Sequence, residues 1–210
     1  MDPFADALTS PDQLAELYEP AMQRAWDKDI GMVDEAAARL IAASPLVVVA
    51  SQDAEGRADA TPRGGPPGFV AVLDEHHLAI PDATGNRRLD TLTNVIATGR
   101  VGLLFLIPGR DQTLRVNGRA CVSAAPAVLA AAGAVGKPPR TAIVVAADEV
   151  YAHCPKAFVR SHLWDPATWP APDGVPTAAE VMHAHMRDPS STTVTEVQAY
   201  LDEALRTRLA

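Results

Sequence analysis

The side chains best suited to chemistry fall in three arginine-bearing segments. Asn86-Arg87-Arg88 follows a strand-like run, His77-Leu78-Ala79-Ile80-Pro81, and precedes a helical one. The first N–H groups of a helix lack internal partners and the helix dipole is positive there, so an anion is favoured even before two guanidiniums are added. Guanidinium forks also match phosphate oxygens in a bidentate way. Thr61-Pro62-Arg63-Gly64-Gly65-Pro66-Pro67-Gly68 joins stiff prolines to glycines that let a backbone pass close to a ligand, and Arg63 places a fixed charge among them. In the third segment, His153 to Trp164, Lys156 and Arg160 are four residues apart. A helix there sends both cations from one face, with Trp164 a turn further on. Each segment also has a plain structural reading: a solvated helix start with a Gly85-Asn86 turn and N-cap, a structural loop, and a basic helix with a packed Trp. Arg115 and Asn117, on a strand from Thr113 to Val122, either contact a ligand or pair across strands.

Other chemistries lack their residues. There is no G-x-S-x-G nucleophile setting, and neither G-x-x-x-x-G-K-[ST] nor G-x-G-x-x-G occurs, so hydrolase, ATPase and Rossmann readings have no support. His76 and His77 share a turn, and His183 and His185 are i and i+2, off a common helix face, so no metal site is expected. No side chain is marked out as a general acid or base. A net charge of −8 argues against a general nucleic-acid binder, which needs an excess of Lys and Arg for the phosphate backbone. The arginines present therefore serve a local purpose. Cys121 and Cys154 are the only cysteines, without a C-x-x-C pair, which fits structural thiols in a reducing cytoplasm. The acidic start, Met1-Asp2-Pro3-Phe4-Ala5-Asp6, is unlike a secretory signal, and no apolar run approaches the ~20 residues of a membrane span.

The elements that must position these segments follow from periodicity. Leu14, Leu17, Met22 and Trp26, then Met32, Ala36, Leu40 and Ile41, predict two helices over 10–43 parted at Gly31. Leu46 to Ala50 predicts a buried strand, Asp53-Ala54-Glu55-Gly56 a hairpin turn, and Phe69–Leu73 and His77–Pro81 a second hairpin. A helix is expected over Arg88–Ala97 with Leu89, Leu92, Val95 and Ile96 on one face and Gly99 as its stop. Val101–Ile107, Thr113–Val122 and Arg140–Ala147 predict further strands, and Pro126–Ala132 a short helix. About six strands with hairpin connections favour an α+β fold built on an antiparallel barrel with flanking helices. A chain of 210 residues supports one core, so residues 1–166 are expected to form the barrel with its N-terminal helices. Residues 167–210 are expected to form a proline-rich stretch and a helical arm that packs or dimerises.

Taken in order, Ser44-Pro45, Pro62-Arg63-Gly64, Pro67-Gly68-Phe69-Val70, Ile80-Pro81-Asp82, Gly85-Asn86-Arg87-Arg88-Leu89-Asp90, Leu104 to Gly109, Thr113 to Gly118 and His153-Cys154-Pro155-Lys156-Ala157 carry a resemblance. Over roughly residues 18–166 the chain resembles the FMN-binding split-barrel flavoproteins related to pyridoxamine 5'-phosphate oxidase. The resemblance implies bound FMN, a small-molecule substrate and hydride transfer through flavin N5, in a homodimer with the cofactor between protomers. It places Arg63 and Gly64 along the ring and ribityl chain, Ile80 and Pro81 beneath the ring, and Asn86, Arg87 and Arg88 on the phosphate. Thr113 falls where the family has a Gln from the second subunit, and Lys156, Ser161 and Trp164 would close the site. The Arg-x-His substrate motif of true pyridoxamine-phosphate oxidases is missing after Trp164, and Gly65 stands where relatives often have Asp. Vitamin B6-phosphate oxidation, or non-catalytic binding of flavin, deazaflavin or haem, are the alternative functions.

Overall fold

The structure, a computed structural model, describes residue 2 and residues 4–208. Seven strands form one antiparallel sheet: β1 (Leu46–Gln52), β2 (Ala58–Gly64), β3 (Ala71–Val72), β4 (His77–Pro81), β5 (Arg100–Leu106), β6 (Thr113–Ser123) and β7 (Ala142–His153). Their order is β2-β1-β5-β6-β7-β4-β3. The expected hairpins are present, and Gly56 takes φ +83° in the β1–β2 turn, a conformation that carries no Cβ penalty for glycine. Seven strands rather than about six are found, the shortest being the two-residue β3.

Side-chain alternation puts one face of this sheet inside. Val47 and Val49 of β1, Leu103 and Phe105 of β5, Leu114 and Val116 of β6, Val145 and Val150 of β7, and Leu78 and Ile80 of β4 all join one buried cluster. Three strands lie between β1 and β4 in the sheet, so the sheet must curl for their side chains to share a core. This is a split barrel, an α+β fold. Helix α3 (Glu35–Ala43), capped by the Asp34 carboxylate on the Ala37 N–H, closes one end by burying Val33, Ala37 and Ile41. Full burial of each large apolar side chain is worth about 1.5–3 kcal/mol.

Several expected helices are corrected. The stretch before Gly31 forms only two short helices, α1 (Pro11–Ala15) and α2 (Arg24–Asp27), and Leu14, Leu17, Met22 and Trp26 are exposed. Four- and five-residue helices have no length over which to bury a stripe. Of the expected row Met32, Ala36, Leu40 and Ile41, Ile41 is buried, joined by Ala37 of α3 and by Val33 just before it, whereas Ala36 is exposed and Met32 and Leu40 are half-buried. Helix α4 (Asp90–Thr98) starts later than expected; it buries Thr91, Asn94 and Val95 and leaves Leu89 and Ile96 outside, because its inner face meets polar groups of β1 and β2. Helix α5 (Pro126–Ala132) and the stop at Gly99, φ +66°, are as expected. Beyond α6 (Lys156–Ser161), α7 (Ala178–Ala184) and α8 (Val194–Arg208) bury Ala179 and Val197 and pack together. Among the described residues no helix is long and apolar enough to cross a membrane.

Strand β7 runs six residues past the expected end at Ala147. The acidic pair Asp148-Glu149 interrupts its apolar run, yet both are used. Asp148 is the extra residue of a bulge and pairs with Arg100 at 2.9 Å and Arg119 at 3.6 Å, while Glu149 stands opposite Asn117. Gly118 makes the bulge possible, since a Cβ there would overlap the Ala146 carbonyl. We expect Gly118→Ala to destabilise the fold by about 3 kcal/mol in urea unfolding, because ladders on both sides hold the backbone in place. Gly174→Ala, with open space around it, is expected to stay within about 0.5 kcal/mol.

Candidate active site

A cleft of about 1320 Å³ opens where the curled sheet fails to close. One wall is β2. Asp59, Thr61 and Arg63 stand opposite Ser51, Val49 and Val47 and so project on the inner face. The other wall is the loop from Asp82 to Leu89 that follows β4, with Lys137, Pro138, Arg140 and Thr141 leading into β7. The start of α4 forms its end through Asp90, Thr91 and Leu92. Pairing of Pro81 with Ala142 brings the last two chain segments side by side.

Asn86, Arg87 and Arg88 lie in this loop rather than in the first helical turn, a correction to the expected helix start. The Asn86 side-chain oxygen accepts the Arg88 N–H at 3.0 Å, and Arg87 and Leu89 take left-handed φ of 62° and 61°. Non-glycine residues there are strained, and such strain collects at ligand-holding sites. Leu89 is the N-cap of α4 and offers no side-chain oxygen, so the first N–H groups of α4 lack a side-chain cap where the helix meets the cleft.

Five cationic side chains, Arg63, Arg87, Arg88, Lys137 and Arg140, line the cleft against three carboxylates. Arg88 Nε bonds Asp90 at 2.7 Å, and Asp59 accepts from Thr91 Oγ1 at 3.0 Å. Among the described residues Arg63, Arg87, Lys137 and Arg140 form no ion pair. A surplus of positive charge at an uncapped helix start favours an anion over a cation. Lys137 and Arg140 were not singled out from sequence; the signal was Gly136-Lys137-Pro138-Pro139-Arg140, a stiff basic loop just before a strand.

The remaining predicted site residues divide. Ile80 and Pro81 are buried at the end of β4, with the Ile80 side chain in the core, so the Ile80 backbone is what remains for a ligand. Gly64 ends β2 beside the cleft. Gly65 cannot carry the Asp of relatives here, since its Cβ would come 2.7 Å from that of Phe69. Thr113, Arg115 and Asn117 sit at the far end of β6 and Arg115 and Asn117 pair across strands, with Tyr151 and Glu149. Lys156 and Ser161 bound α6; Trp164 stacks on Phe158 at 6.1 Å and donates Nε1–H to the Arg110 carbonyl. The cleft residues Arg140 and Thr141 adjoin the Ser123–Ala142 end of the β6–β7 ladder, Thr113 lies ten positions along β6 from Ser123, and none of Thr113, Arg115, Asn117, Lys156, Ser161 and Trp164 lines the cleft. One chain does not bring the two groups together.

The fold and this cleft define a split-barrel protein with a cationic cleft. A family model, pyridoxamine 5'-phosphate oxidase, matches residues 33–154, more than half of the chain, and the protein belongs to that family. No curated protein matches the chain. Solved structures similar to it include HupZ of Group A Streptococcus, 21% identical over 58% of this chain and 94% of that one with a TM-score of 0.48. A candidate pyridoxamine 5'-phosphate oxidase of Lactobacillus delbrueckii is 23% identical over 59% of this chain and 98% of that one, with a TM-score of 0.47. The FAD-binding protein of Mycobacterium smegmatis is 14% identical over 58% and 95%, with a TM-score of 0.41.

The cleft also depends on a polar anchor beneath α4. Thr91 and Asn94, both buried, bond Asp59 of β2 and Ser51 of β1 and so tie the helix start to the cleft wall. We expect Thr91→Val to lower stability by about 1–2 kcal/mol in chemical denaturation, because the Asp59 carboxylate loses a charge-assisted partner it cannot fully replace with water.

Proposed function

We propose that the protein is an FMN-dependent oxidoreductase working as a homodimer. The carrying observation is the cationic cleft at the uncapped start of α4 in a chain whose net charge is −8. A flavin mononucleotide has an anionic end that calls for such a surplus and a flat apolar ring that calls for a wide slot beside it. Arg87, Arg88 and the first N–H groups of α4 would hold the phosphate, with Lys137 and Arg140 within the same cleft. Arg63 and Gly64 would run along the ribityl chain and ring, above the backbone of Ile80 and Pro81. When bound, FMN supplies the hydride-transferring centre at N5. The chain's own part is to orient the ring, exclude water and offer donors to its polar edge.

The homodimer is supported by the division of the site residues. Thr113, Arg115 and Asn117 project on the face of β6 opposite to Leu114 and Val116, away from the cleft. A second copy that sets this face and its Lys156–Trp164 segment against the cleft would complete the slot.

The purified protein is expected to show flavin absorbance after reconstitution with FMN, and that absorbance to bleach on anaerobic addition of NADH or NADPH. Arg87→Ala with Arg88→Ala should weaken FMN binding roughly 100-fold, since two charge-assisted contacts contribute about 3 kcal/mol or more together. Equal affinity in fluorescence titration would defeat the assignment. Light scattering should give a dimer, and FMN should be lost when dilution yields monomer, because binding to the dimer alone is linked to assembly. A monomer that holds FMN stoichiometrically would contradict the shared site.

A further inference from the structure

On the outer face of β6 and β7 three opposed pairs stand in a row: Thr113 with His153, Arg115 with Tyr151, and Asn117 with Glu149. Glu149 accepts the Asn117 amide at 2.6 Å, which accounts for that pair. The other two have no carboxylate. Arg115 Nη1 donates to the Tyr151 hydroxyl at 2.9 Å, and Nη2 stands 3.2 Å from His153 Nε2. Lys28, just past α2, gives one N–H to the Ala152 carbonyl at 3.1 Å and lies 4.7 Å from the centre of the Tyr151 ring.

The positive charge of this group is not balanced within it. His153 Nδ1 stands 2.9 Å from the Cys154 N–H, a bond the ring accepts when its proton is on Nε2. The Nε2–H then faces the Arg115 N–H across 3.2 Å, two donors with no acceptor between them. The other tautomer exchanges the Cys154 bond for one from Arg115 to Nε2, and an imidazolium would add a third cation beside Arg115 and Lys28. Burial together with those two cations holds His153 below the ordinary histidine range. Tyr151 uses a lone pair on Arg115, so its O–H is also a donor in search of a partner. Among the described residues no carboxylate bonds or ion-pairs with any of the four.

We propose that Lys28, Arg115, Tyr151 and His153 form a subsite for the carboxylate of a small organic acid. A planar group with two acceptor oxygens takes the guanidinium fork on one side and satisfies Nε2–H and the tyrosine O–H on the other. Three of the four residues stand on paired strands, so the site is held by the ladder rather than by a loop. Its existence does not depend on the flavin reading; where both hold, the organic acid is the substrate.

The test is titration of the purified protein with benzoate and with the uncharged isostere benzamide, followed by NMR of the His153 ring, identified by its loss in His153→Gln. Benzoate is expected to raise the His153 pKa by roughly one unit, because a bound anion favours the imidazolium. Benzoate affinity should therefore rise as pH falls from the bound-state pKa of His153 and level off below its free-protein pKa, while benzamide leaves the ring unmoved. Arg115→Gln should weaken benzoate tenfold or more. Lys28→Gln, a change at an exposed side chain that leaves the strands intact, should weaken it by a smaller factor. Equal binding of benzoate and benzamide, a His153 titration unchanged at saturation, or wild-type benzoate affinity in both folded variants would overturn the proposal.

Discussion

Everything functional in this molecule hangs on the antiparallel ladder between β6 and β7. It runs eleven residue pairs, from Thr113–His153 to Ser123–Ala142. With side chains alternating at a period of two, the same backbone faces the core with Leu114, Val116 and Val150 and faces outward with Arg115, Asn117 and Tyr151. One end leads into Thr141 and Arg140 of the cleft; the other ends in His153 and leads to α6. A one-residue slip would turn the core row to solvent and the outer row inward. The bulge at Gly118 and Asp148 absorbs the one residue of mismatch, and the Asp148 contacts with Arg100 and Arg119 hold it from outside.

The curl of the sheet does the second task. Strands β2 and β4 are separated by four others, yet residues of β2 and the segments around β4 line one cleft. Charges that are remote in the chain, Arg63, Arg87 and Arg140 among them, are thereby concentrated at one opening. An acidic protein can hold an anion only if its cations are gathered in this way, since over the rest of its surface the summed field is repulsive to one.

Local chemistry made much of this legible beforehand. Nearly continuous apolar runs marked Leu46–Ala50 and Val101–Ile107, a proline and a glycine bounded α5, and the Asn-Arg-Arg loop stood out by type alone. What stayed hidden depends on contacts between distant residues. Lys137 and Arg140 join the site only because Pro81 pairs with Ala142, and the extension of β7 is disguised by two carboxylates whose partners lie on β5 and β6. The apolar spacing from Leu14 to Trp26 looks like a core face, but no neighbouring element in the chain covers it. Likewise, the meeting of Lys28 with Tyr151 joins residues more than a hundred positions apart, beyond the reach of any motif.

The unbalanced cations of the cleft carry a consequence for the empty protein. Arg63, Arg87, Lys137 and Arg140 repel one another across a space open to water, and the left-handed backbone at Arg87 and Leu89 adds strain in the same loop. Mobile counterions must then do part of what a phosphate does. With a screening length of ~8 Å at physiological ionic strength and about three times that in dilute buffer, the unliganded fold is most vulnerable when salt is scarce. Salt thus acts on this cleft in two opposed senses: it screens the repulsion among its cations and, by the same screening, weakens their attraction for any anion.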